Sequence, residues 1–291
     1  MKRIRTKEDF ININKLYTHG GVFHADEVFS TALINIVREY FKLPLIFPER
    51  GFNPPMDDDK TLIYDIGGGV YDHHQKDAEY RPNGDKYASF GLLWRDLAPL
   101  INLTDEEISY VDNILVKEID LTDNFGAAAY PNLLSCQISK MNVNWNEDDK
   151  WQEDKFLDAV KIAIILLCGD IRSAKSKFKA KRLVFDKIEE AKESKIIILD
   201  QFMPWVDFVL ASDSDAKFCI FPSKRGGYNI QCIPVSKEDG TFRCPFRAEY
   251  YGQRDINMLP EGATFCHASG FLMAVDTLDN AIRICNETMN K

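Results

Sequence analysis

The residues best suited to chemistry are the five histidines, which fall into three short segments. The segment Tyr71-Asp72-His73-His74-Gln75 holds two of them beside a carboxylate. Two more lie between Thr18 and Glu27, again with acids close by, and the fifth is His267. Neutral imidazole and carboxylate together bind divalent metals such as Zn, Mn, Fe and Co. The sequence therefore predicts a metal-dependent hydrolase whose site is assembled around Asp72-His73-His74.

The first part of the chain offers more candidate ligands than a single ion needs. One metal ion takes about three or four protein ligands. About six or more indicate a pair of ions about 3.5 to 4 Å apart that share a bridging carboxylate. Such a pair suits phosphoester hydrolysis, because one ion lowers the pKa of the attacking water while both neutralise charge on the phosphate oxygens. The candidate ligands are His19, His24, Asp26, Asp65, His73 or His74, and one of Asp120 and Asp123.

The overall charge argues against a protein that coats nucleic acid. The chain carries 36 basic and 45 acidic residues, a net charge of −9, whereas such proteins neutralise phosphates with clustered lysine and arginine. An enzyme with a locally basic groove is compatible with this charge, and a short single strand fits it better than a long duplex. With 45% hydrophobic and 28% charged residues, the chain is expected to be globular.

The cysteines and the apolar runs favour a cytoplasmic protein that does not enter a membrane. The seven cysteines include no Cys-x-x-Cys pair and mostly lie in apolar runs such as Phe218-Cys219-Ile220-Phe221, as is typical of reduced thiols. The basic segment from Met1 to Asp9 is followed by no signal-peptide core. The longest apolar run, Ile162 to Cys168, is far shorter than the roughly 20 residues of a membrane span. The sequence does not indicate the oligomeric state.

The metal candidates must be positioned by the ends of strands and the starts of helices. A predicted strand ends at His19, where two glycines follow, and from Asp26 apolar residues recur at helical spacing. A second buried strand begins at Thr61 and carries Asp65 at its end, before three glycines. Open α/β sheets place their ligand sites outside the carboxyl ends of the strands. His19 and Asp65 are therefore expected at the same edge of a sheet.

The remaining segments complete a mixed pattern of helices and strands. A strand is predicted at Leu45-Ile46-Phe47, and the acidic turn Asp57-Asp58-Asp59 is interpreted as solvated rather than as a metal cluster. A capping box at Thr104-Asp105-Glu106-Glu107 opens a helix that leads to Asp120 and Asp123. Further helices are predicted for residues 88–101, 151–194 and 277–287, and strands for residues 196–199, 218–221, 228–234 and 264–268.

A change of character after Ser194 predicts two domains, as expected for a chain of 291 residues. The first, residues 1–194, alternates strands with helices and holds all the candidate metal ligands. The second, residues 195–291, is smaller and carries His267. We expect an α/β fold in which a mainly parallel sheet flanked by helices forms the catalytic domain. The smaller α+β domain at the C-terminus would bind substrate.

The motifs resemble those of a known family. The order of a histidine-rich loop, a strand-end aspartate, Asp-His-His and a later aspartate resembles the DHH phosphoesterase superfamily, which includes single-strand exonucleases and manganese pyrophosphatases. More closely, the segments Thr18 to Glu27, Tyr71 to Gln75, Glu118 to Asn124 and His267 to Phe271 resemble the melanocyte-proliferating-gene family. Members of that family are described as metal-dependent hydrolases, some of them 3'-to-5' RNA exonucleases. The resemblance implies a DHH-like first domain.

The resemblance also implies a role for each matching residue. It implies that His74 hydrogen-bonds the attacking water or the phosphate, and that Asp72 orients a histidine. It implies that His267, Ser269 and Gly270 bind substrate. The implied cofactor is a pair of Mn²⁺ ions, with Mg²⁺, Co²⁺ or Zn²⁺ as alternatives. The implied metal ligands are His19, His24, Asp26, Asp65 as the bridging carboxylate, His73, and Asp120 or Asp123.

Three functions are compatible with these residues. The first is a metal-dependent phosphodiesterase, or 3'-to-5' exonuclease, that cleaves RNA or short oligonucleotides with a metal-activated water. The second is a metal-dependent hydrolase of a small phosphorylated metabolite. The third is a non-catalytic binding protein in which metals only stabilise the fold. Hydrolysis of a generic phosphodiester on addition of metal would separate the enzymes from the binding protein.

Overall fold

The computed structural model describes residues 3–55 and 60–290 of the chain. The predicted solvated turn Asp57-Asp58-Asp59 lies outside these residues. The chain divides into two compact units, residues 1–175 and residues 176–291. This division falls within the longest helix, which spans Gln152–Glu190. The domain boundary near Ser194 stays a prediction.

In the described part of the first unit, short strands are separated by helices. In chain order the elements are α1 (Lys7–Ile11), β1 (Lys15–His19), α2 (Ala25–Tyr40), β2 (Glu49–Gly51), β3 (Thr61–Ile63), α3 (Ser89–Leu97), α4 (Asp105–Val111), α5 (Lys117–Phe125), α6 (Leu133–Ser139) and the first part of α7 (Gln152–Glu190). A single π-helical turn, Asp112–Val116, connects α4 to α5.

The first unit contains a three-stranded sheet in the order β2-β1-β3, in which both pairs are parallel. The register places Leu16 opposite Leu62, and both side chains are buried. Because the strands are parallel, β1 and β3 end at the same edge, where His19 closes β1 and Asp65 follows β3. The predicted α/β class with a parallel sheet is confirmed.

Helix α2 lies at the centre of the first unit. Every residue from Ala25 to Arg38 is buried, and the helix packs against α3, α5 and α6. A helix enclosed on all sides has little freedom to shift, because protein interiors are closely packed. Its N-terminus, which carries the candidate ligand Asp26, is therefore fixed relative to the sheet edge.

The strand predicted at Leu45-Ile46-Phe47 is wrong, since β2 begins at Glu49. The backbone of Ile46 is bound instead by the side chain of Asn35 on α2. Ile46 N–H donates to Asn35 Oδ1 at 2.9 Å, and Asn35 Nδ2 donates to the Ile46 carbonyl at 2.8 Å. These side-chain bonds satisfy the two backbone groups that strand pairing would otherwise use.

The second unit is a five-stranded sheet with helices. Beyond the rest of α7 its elements are β4 (Ile196–Ile198), α8 (Val206–Leu210), β5 (Phe218–Pro222), β6 (Tyr228–Cys232), β7 (Ala263–Cys266), β8 (Leu272–Val275) and α9 (Leu278–Met289). The strand order is β4-β5-β6-β8-β7, and only the β4–β5 pair is parallel. The predicted strands and closing helix are confirmed, and β8 is an additional strand. None of the helices in the described ranges combines the length and the apolar character that crossing a membrane requires.

Candidate metal centre

The carboxyl ends of β1 and β3 bring a histidine and an aspartate together. His19 Nε2 lies 3.3 Å from Asp65 Oδ2. Asp65 has a φ of 58°, a left-handed conformation that is uncommon for residues with a side chain. Backbone strain of this kind concentrates at functional sites, where the surrounding structure maintains it. At Asp65 the strained turn lies where the carboxylate contacts the histidine.

The N-terminus of α2 contributes Glu27, an acid that was not among the predicted site residues. Glu27 Oε1 lies 2.9 Å from His19 Nε2, and the Glu27 side chain is fully buried. Both Glu27 oxygens accept from the His24 backbone N–H at 3.0 Å. His19, His24 and Glu27 form one group whose ligand atoms are close enough to hold a metal ion. Glu27 follows Asp26 directly, but its spacing from His24 is also that of an ordinary capping box.

His73 contacts the second oxygen of Asp65. His73 Nε2 lies 3.2 Å from Asp65 Oδ1 and 3.1 Å from Asp123 Oδ2. His73 belongs to two further groups that could hold a metal ion, one with Asp65 and His74, the other with Asp26 and Asp123. The structure thus brings the histidine-rich loop, the strand-end aspartate and Asp123 on α5 to one place.

The N-terminus of α3 supports two buried acids. The backbone N–H groups of Ser89 and Phe90 donate to Asp26 at 3.1 and 2.7 Å, and that of Gly91 donates to Asp120 at 3.0 Å. Both carboxylates are fully buried. Free N–H groups at a helix N-terminus favour negative charge, so these donors offset part of the cost of burying two acids.

Asp120 is paired with an arginine and lies outside the metal-binding groups found among the described residues. Arg81 Nη1 lies 2.8 Å from Asp120 Oδ2. The same guanidinium donates to both oxygens of Asp112, at 2.8 and 3.1 Å. Asp123 contacts His73 instead. Of the two acids between which the sequence could not choose, Asp123 is therefore the one that lies among the candidate ligands.

Two of the candidate histidines are held through Nδ1, which leaves Nε2 directed at the acids. The Nδ1–H of His19 donates to the Gly20 carbonyl at 3.0 Å, and that of His73 donates to Asn124 Oδ1 at 3.1 Å. Asn124 is itself fixed, since its Nδ2 donates to the Asp120 carbonyl at 2.9 Å. Metal-binding histidines are commonly oriented in this way. Asn124 was missed from the sequence, where its only signal is its place beside Asp123.

Asp72 holds His74. The Nδ1–H of His74 lies 2.8 Å from Asp72 Oδ1, and the Gly68 N–H donates to Asp72 Oδ2 at 2.7 Å. Partial burial raises the pKa of the Asp72 carboxyl, but these hydrogen bonds outweigh it and hold the pKa well below its ordinary value. Asp72 is therefore an ionised acceptor. The His74 side chain is 62% exposed, which leaves its Nε2 accessible.

The electrostatics of the cluster favour a bound cation. Burial lowers the pKa of the His73 imidazole, but the carboxylates of Asp123, Asp65 and Asp26 raise it to about 11. Asp65 and Glu27 likewise raise the pKa of His19 to about 11, against the effect of burial. Moreover, Asp65 Oδ1 and His73 Nε2 are buried atoms that make no well-aligned hydrogen bond. The donor set of imidazoles and carboxylates therefore fits a divalent metal.

A cavity of about 820 Å³ opens beside these residues, within the size range of small-molecule sites. The residues that line it include His24, Asp65, His74 and Asp123, together with Lys140 from beyond α6. Apolar side chains complete its wall. A substrate in this cavity would lie against the acids and imidazoles.

The three residues expected to bind substrate lie in the second unit, in the turn between β7 and β8. His267 Nδ1 accepts from the Ser269 backbone N–H at 3.2 Å and lies 2.9 Å from Ser269 Oγ. Gly270 has a φ of 67°, and a Cβ there would overlap the ring of Tyr251. Gly270 is therefore explained by the turn. The substrate-binding role of the three residues stays a prediction.

Comparison with known proteins gives one family and several relatives. The family model MYG1_exonuc, described as an uncharacterised protein family (UPF0160), matches residues 15–289. A MYG1 exonuclease of Homo sapiens is 25% identical, covering 98% of this chain and 88% of its own length. The MYG1 exonuclease of Rattus norvegicus is also 25% identical, covering 98% and 87%. A MYG1 protein of Schizosaccharomyces pombe is 25% identical, covering 96% and 98%. No solved structure matches the chain.

Proposed function

The chain belongs to the MYG1 exonuclease family (UPF0160), and from this premise we propose that it is a divalent-metal-dependent phosphodiesterase. The family resemblance expected from the motifs is confirmed, whereas the DHH superfamily stays a prediction. The proposed substrate is RNA or a short oligonucleotide, cleaved from its 3' end. The names of the human and rat relatives, MYG1 exonuclease, support a nucleic-acid substrate, and the resemblance of the motifs supports RNA and the 3' end.

The observation that carries the proposal is the position of Asp65 between two imidazoles. Asp65 Oδ2 lies 3.3 Å from His19 Nε2, and Asp65 Oδ1 lies 3.2 Å from His73 Nε2. One carboxylate thus directs its two oxygens at two separate groups of ligands, as the bridging acid of a paired-metal site does. A single structural ion would need only one of these groups.

Two sets of residues would hold the metals. The proposed ligands are His19, His24 and Glu27 on one side of Asp65, and Asp26, His73 and Asp123 on the other. Divalent ions bound there would neutralise phosphate charge and lower the pKa of an attacking water. Mn²⁺ is the proposed ion, because the resemblance of the motifs implies it; Mg²⁺, Co²⁺ and Zn²⁺ are the alternatives that the same imidazole and carboxylate donors admit.

The chain's own polar groups would then position the substrate. His74 is proposed to hydrogen-bond the phosphate or the water through Nε2, because Asp72 occupies its Nδ1–H. Nε2 accepts from the water when the ring is neutral and donates to the phosphate when the ring is protonated. Lys140, at the wall of the cavity, would add a positive charge for a second phosphate. Apolar side chains in the same wall would contact the sugar or base.

The test is metal-dependent hydrolysis of bis(p-nitrophenyl) phosphate and of a 5'-labelled RNA oligonucleotide. We expect activity on addition of Mn²⁺, and we expect His73→Ala to lower it by more than about 100-fold, because losing a ligand costs more than losing an outer contact. Asn257→Ala, which changes an exposed amide of the second unit, is the control and should retain activity.

Each outcome decides between the functions that the sequence left open. Shortening of the oligonucleotide from its 3' end supports the proposal. Cleavage of the small ester without cleavage of RNA would indicate that the substrate is a small phosphorylated metabolite and not RNA. Binding of Mn²⁺ with no hydrolysis of either compound would make the chain a metal-stabilised binding protein.

A further inference from the structure

The sheet of the second unit has one face that is only partly covered. Ile230, Met273 and Val275 are buried with α9 on one face, so by the alternation of strands Asn229, Leu272 and Ala274 belong to the other. The apolar cluster formed with α7 and α8 covers this second face at β4 and β5. Beyond that cluster lies a cavity of about 540 Å³, whose lining includes all three of these residues. We call this cavity the aromatic groove.

Three phenylalanines line the aromatic groove: Phe202, Phe221 and Phe265. The ring centres of Phe202 and Phe221 lie 5.1 Å apart, with the ring planes inclined at 61°. The Phe202 side chain is 61% exposed, although a phenylalanine of this size is normally buried when the fold allows it. An exposed ring in a groove provides a flat surface on which another planar group can stack.

The groove is also locally positive in an acidic chain. Lys224, Arg225 and Arg254 line it, and its lining contains no Asp or Glu. The Arg254 guanidinium lies over the Phe265 ring, 5.0 Å from its centre. Within residues 3–55 and 60–290, none of these three cations forms an ion pair with a carboxylate. Their charge is therefore available to an anionic ligand, in contrast to the net charge of −9.

We propose that the aromatic groove binds single-stranded nucleic acid. A base stacks on Phe202, and Lys224, Arg225 and Arg254 contact neighbouring phosphates. A groove that combines aromatic rings with cations free of carboxylate partners suits a single strand, since each nucleotide offers a planar base and a charged phosphate. The groove's hydroxyl and amide groups, on Ser223, Asn229 and Thr264, would contact base edges.

An acidic peptide is less suited to the groove, because its charges are not spaced by planar groups. The inference rests on the proposed function in one respect, since it states how an oligonucleotide substrate would be held. Binding itself requires no metal and no hydrolysis. The two proposals can therefore fail separately.

The test is binding of the full chain to a fluorescein-labelled eight-nucleotide oligouridylate in EDTA, followed by fluorescence anisotropy. We expect Phe202→Leu, which keeps an apolar side chain but removes the ring, to weaken binding by at least about ten-fold. Phe202→Trp should bind as tightly as the native chain or more tightly. Lys192→Gln, which removes a surface charge paired with Glu189, is the matched charge control and should bind unchanged.

The salt dependence tests the cations. Three phosphate contacts predict a slope of about −2 for the logarithm of the binding constant against the logarithm of salt concentration. Arg254→Gln should bring the slope closer to zero by about 0.7. The proposal would be overturned in favour of a general anion site by two results together. Heparin or poly-glutamate would compete as well as unlabelled oligouridylate, and Phe202→Leu would bind with native affinity. If the groove variants lose binding while the native chain hydrolyses no phosphodiester, the groove proposal is upheld and the proposed activity is rejected.

Discussion

At the scale of residues, the partner of Nδ1 distinguishes His74 from His19 and His73. His19 and His73 donate Nδ1–H to neutral oxygens, a carbonyl and an amide, and direct Nε2 at Asp65. His74 donates to the ionised carboxylate of Asp72. The Asp72 carboxylate fixes the His74 ring, and an exposed imidazole held in this way suits a group that hydrogen-bonds substrate. Under the proposed function, the Nε2 atoms of His19 and His73 would bind metal.

Removing the amide of Asn124 should weaken metal binding without touching a ligand. We expect Asn124→Ala to lower Mn²⁺ affinity about 10- to 100-fold, because His73 would lose the acceptor that fixes its ring. Asn124→Asp, which keeps the acceptor oxygen for His73 but loses the donor to the Asp120 carbonyl, should recover only part of the affinity. Isothermal titration calorimetry measures both, with Asn257→Ala, an exposed amide of the second unit, as the control. Equal affinity in Asn124→Ala and the native chain would contradict this role.

At the scale of elements, the N-terminus of α3 and the π-helical turn support buried acids beside the candidate ligands. Helix α3 donates its first N–H groups to Asp26 and Asp120. The π-helical turn Asp112–Val116 begins with the acid that holds Arg81, and Arg81 in turn pairs with Asp120. Such turns are frequent at functional sites. Here the turn secures the arginine that neutralises a buried carboxylate.

Gly91 on α3 makes this arrangement testable. In a helix interior, Gly→Ala normally stabilises by about 0.5 to 1 kcal/mol. A Cβ on Gly91, however, would overlap Asp120 Oδ2 and lie 2.8 Å from both Asp120 Cγ and the Tyr87 ring. We expect Gly91→Ala to destabilise by about 1 to 3 kcal/mol, as overpacking does, measured by urea denaturation.

The matched control is Gly169 on α7, where an added Cβ has no neighbour within 4 Å among the described residues. Gly169→Ala should stabilise by about 0.5 to 1 kcal/mol. If Gly91→Ala were as stable as Gly169→Ala, Asp120 would not be held tightly against α3.

At the scale of the whole molecule, the two units have separate apolar cores, and their candidate sites carry charges of opposite sign. The first unit's main cluster extends from Ile4 to Ala174, whereas the second unit's sheet has its own clusters. The buried acids beside the histidines all lie in the first unit. The unpaired cations of the aromatic groove lie in the second.

Metal binding should therefore stabilise one unit selectively. At a concentration 100 times the Kd, a bound ion stabilises the native state by about 2.7 kcal/mol. We expect Mn²⁺ to raise the melting temperature of one transition in differential scanning calorimetry, because the first unit's carboxylates would lose their mutual repulsion. NaCl at equal ionic strength should not do so. A shift in melting temperature that persists in His73→Ala would place metal binding elsewhere. No shift in the native chain would contradict metal binding.

Much of the fold followed from local pattern. Apolar runs and glycines located β1 and β3, helical spacing located α2, and the parallel arrangement explains why His19 and Asp65 share one sheet edge. The short strand β8 escaped notice because it is a four-residue apolar run that directly follows a tight turn. Leu45-Ile46-Phe47 was taken for a strand because nothing local reveals that Asn35 binds its backbone.

By itself the sequence determined which residue types could form the site and which strand ends and helix starts would carry them. Only the tertiary structure placed Asp123 rather than Asp120 beside His73. Residues three apart share one face of a helix, so periodicity cannot separate these two acids. Their partners come from distant segments, Arg81 for one and His73 for the other. The same holds for Glu27 and Asn124, whose roles depend on contacts that exist only once the helices have packed against the sheet.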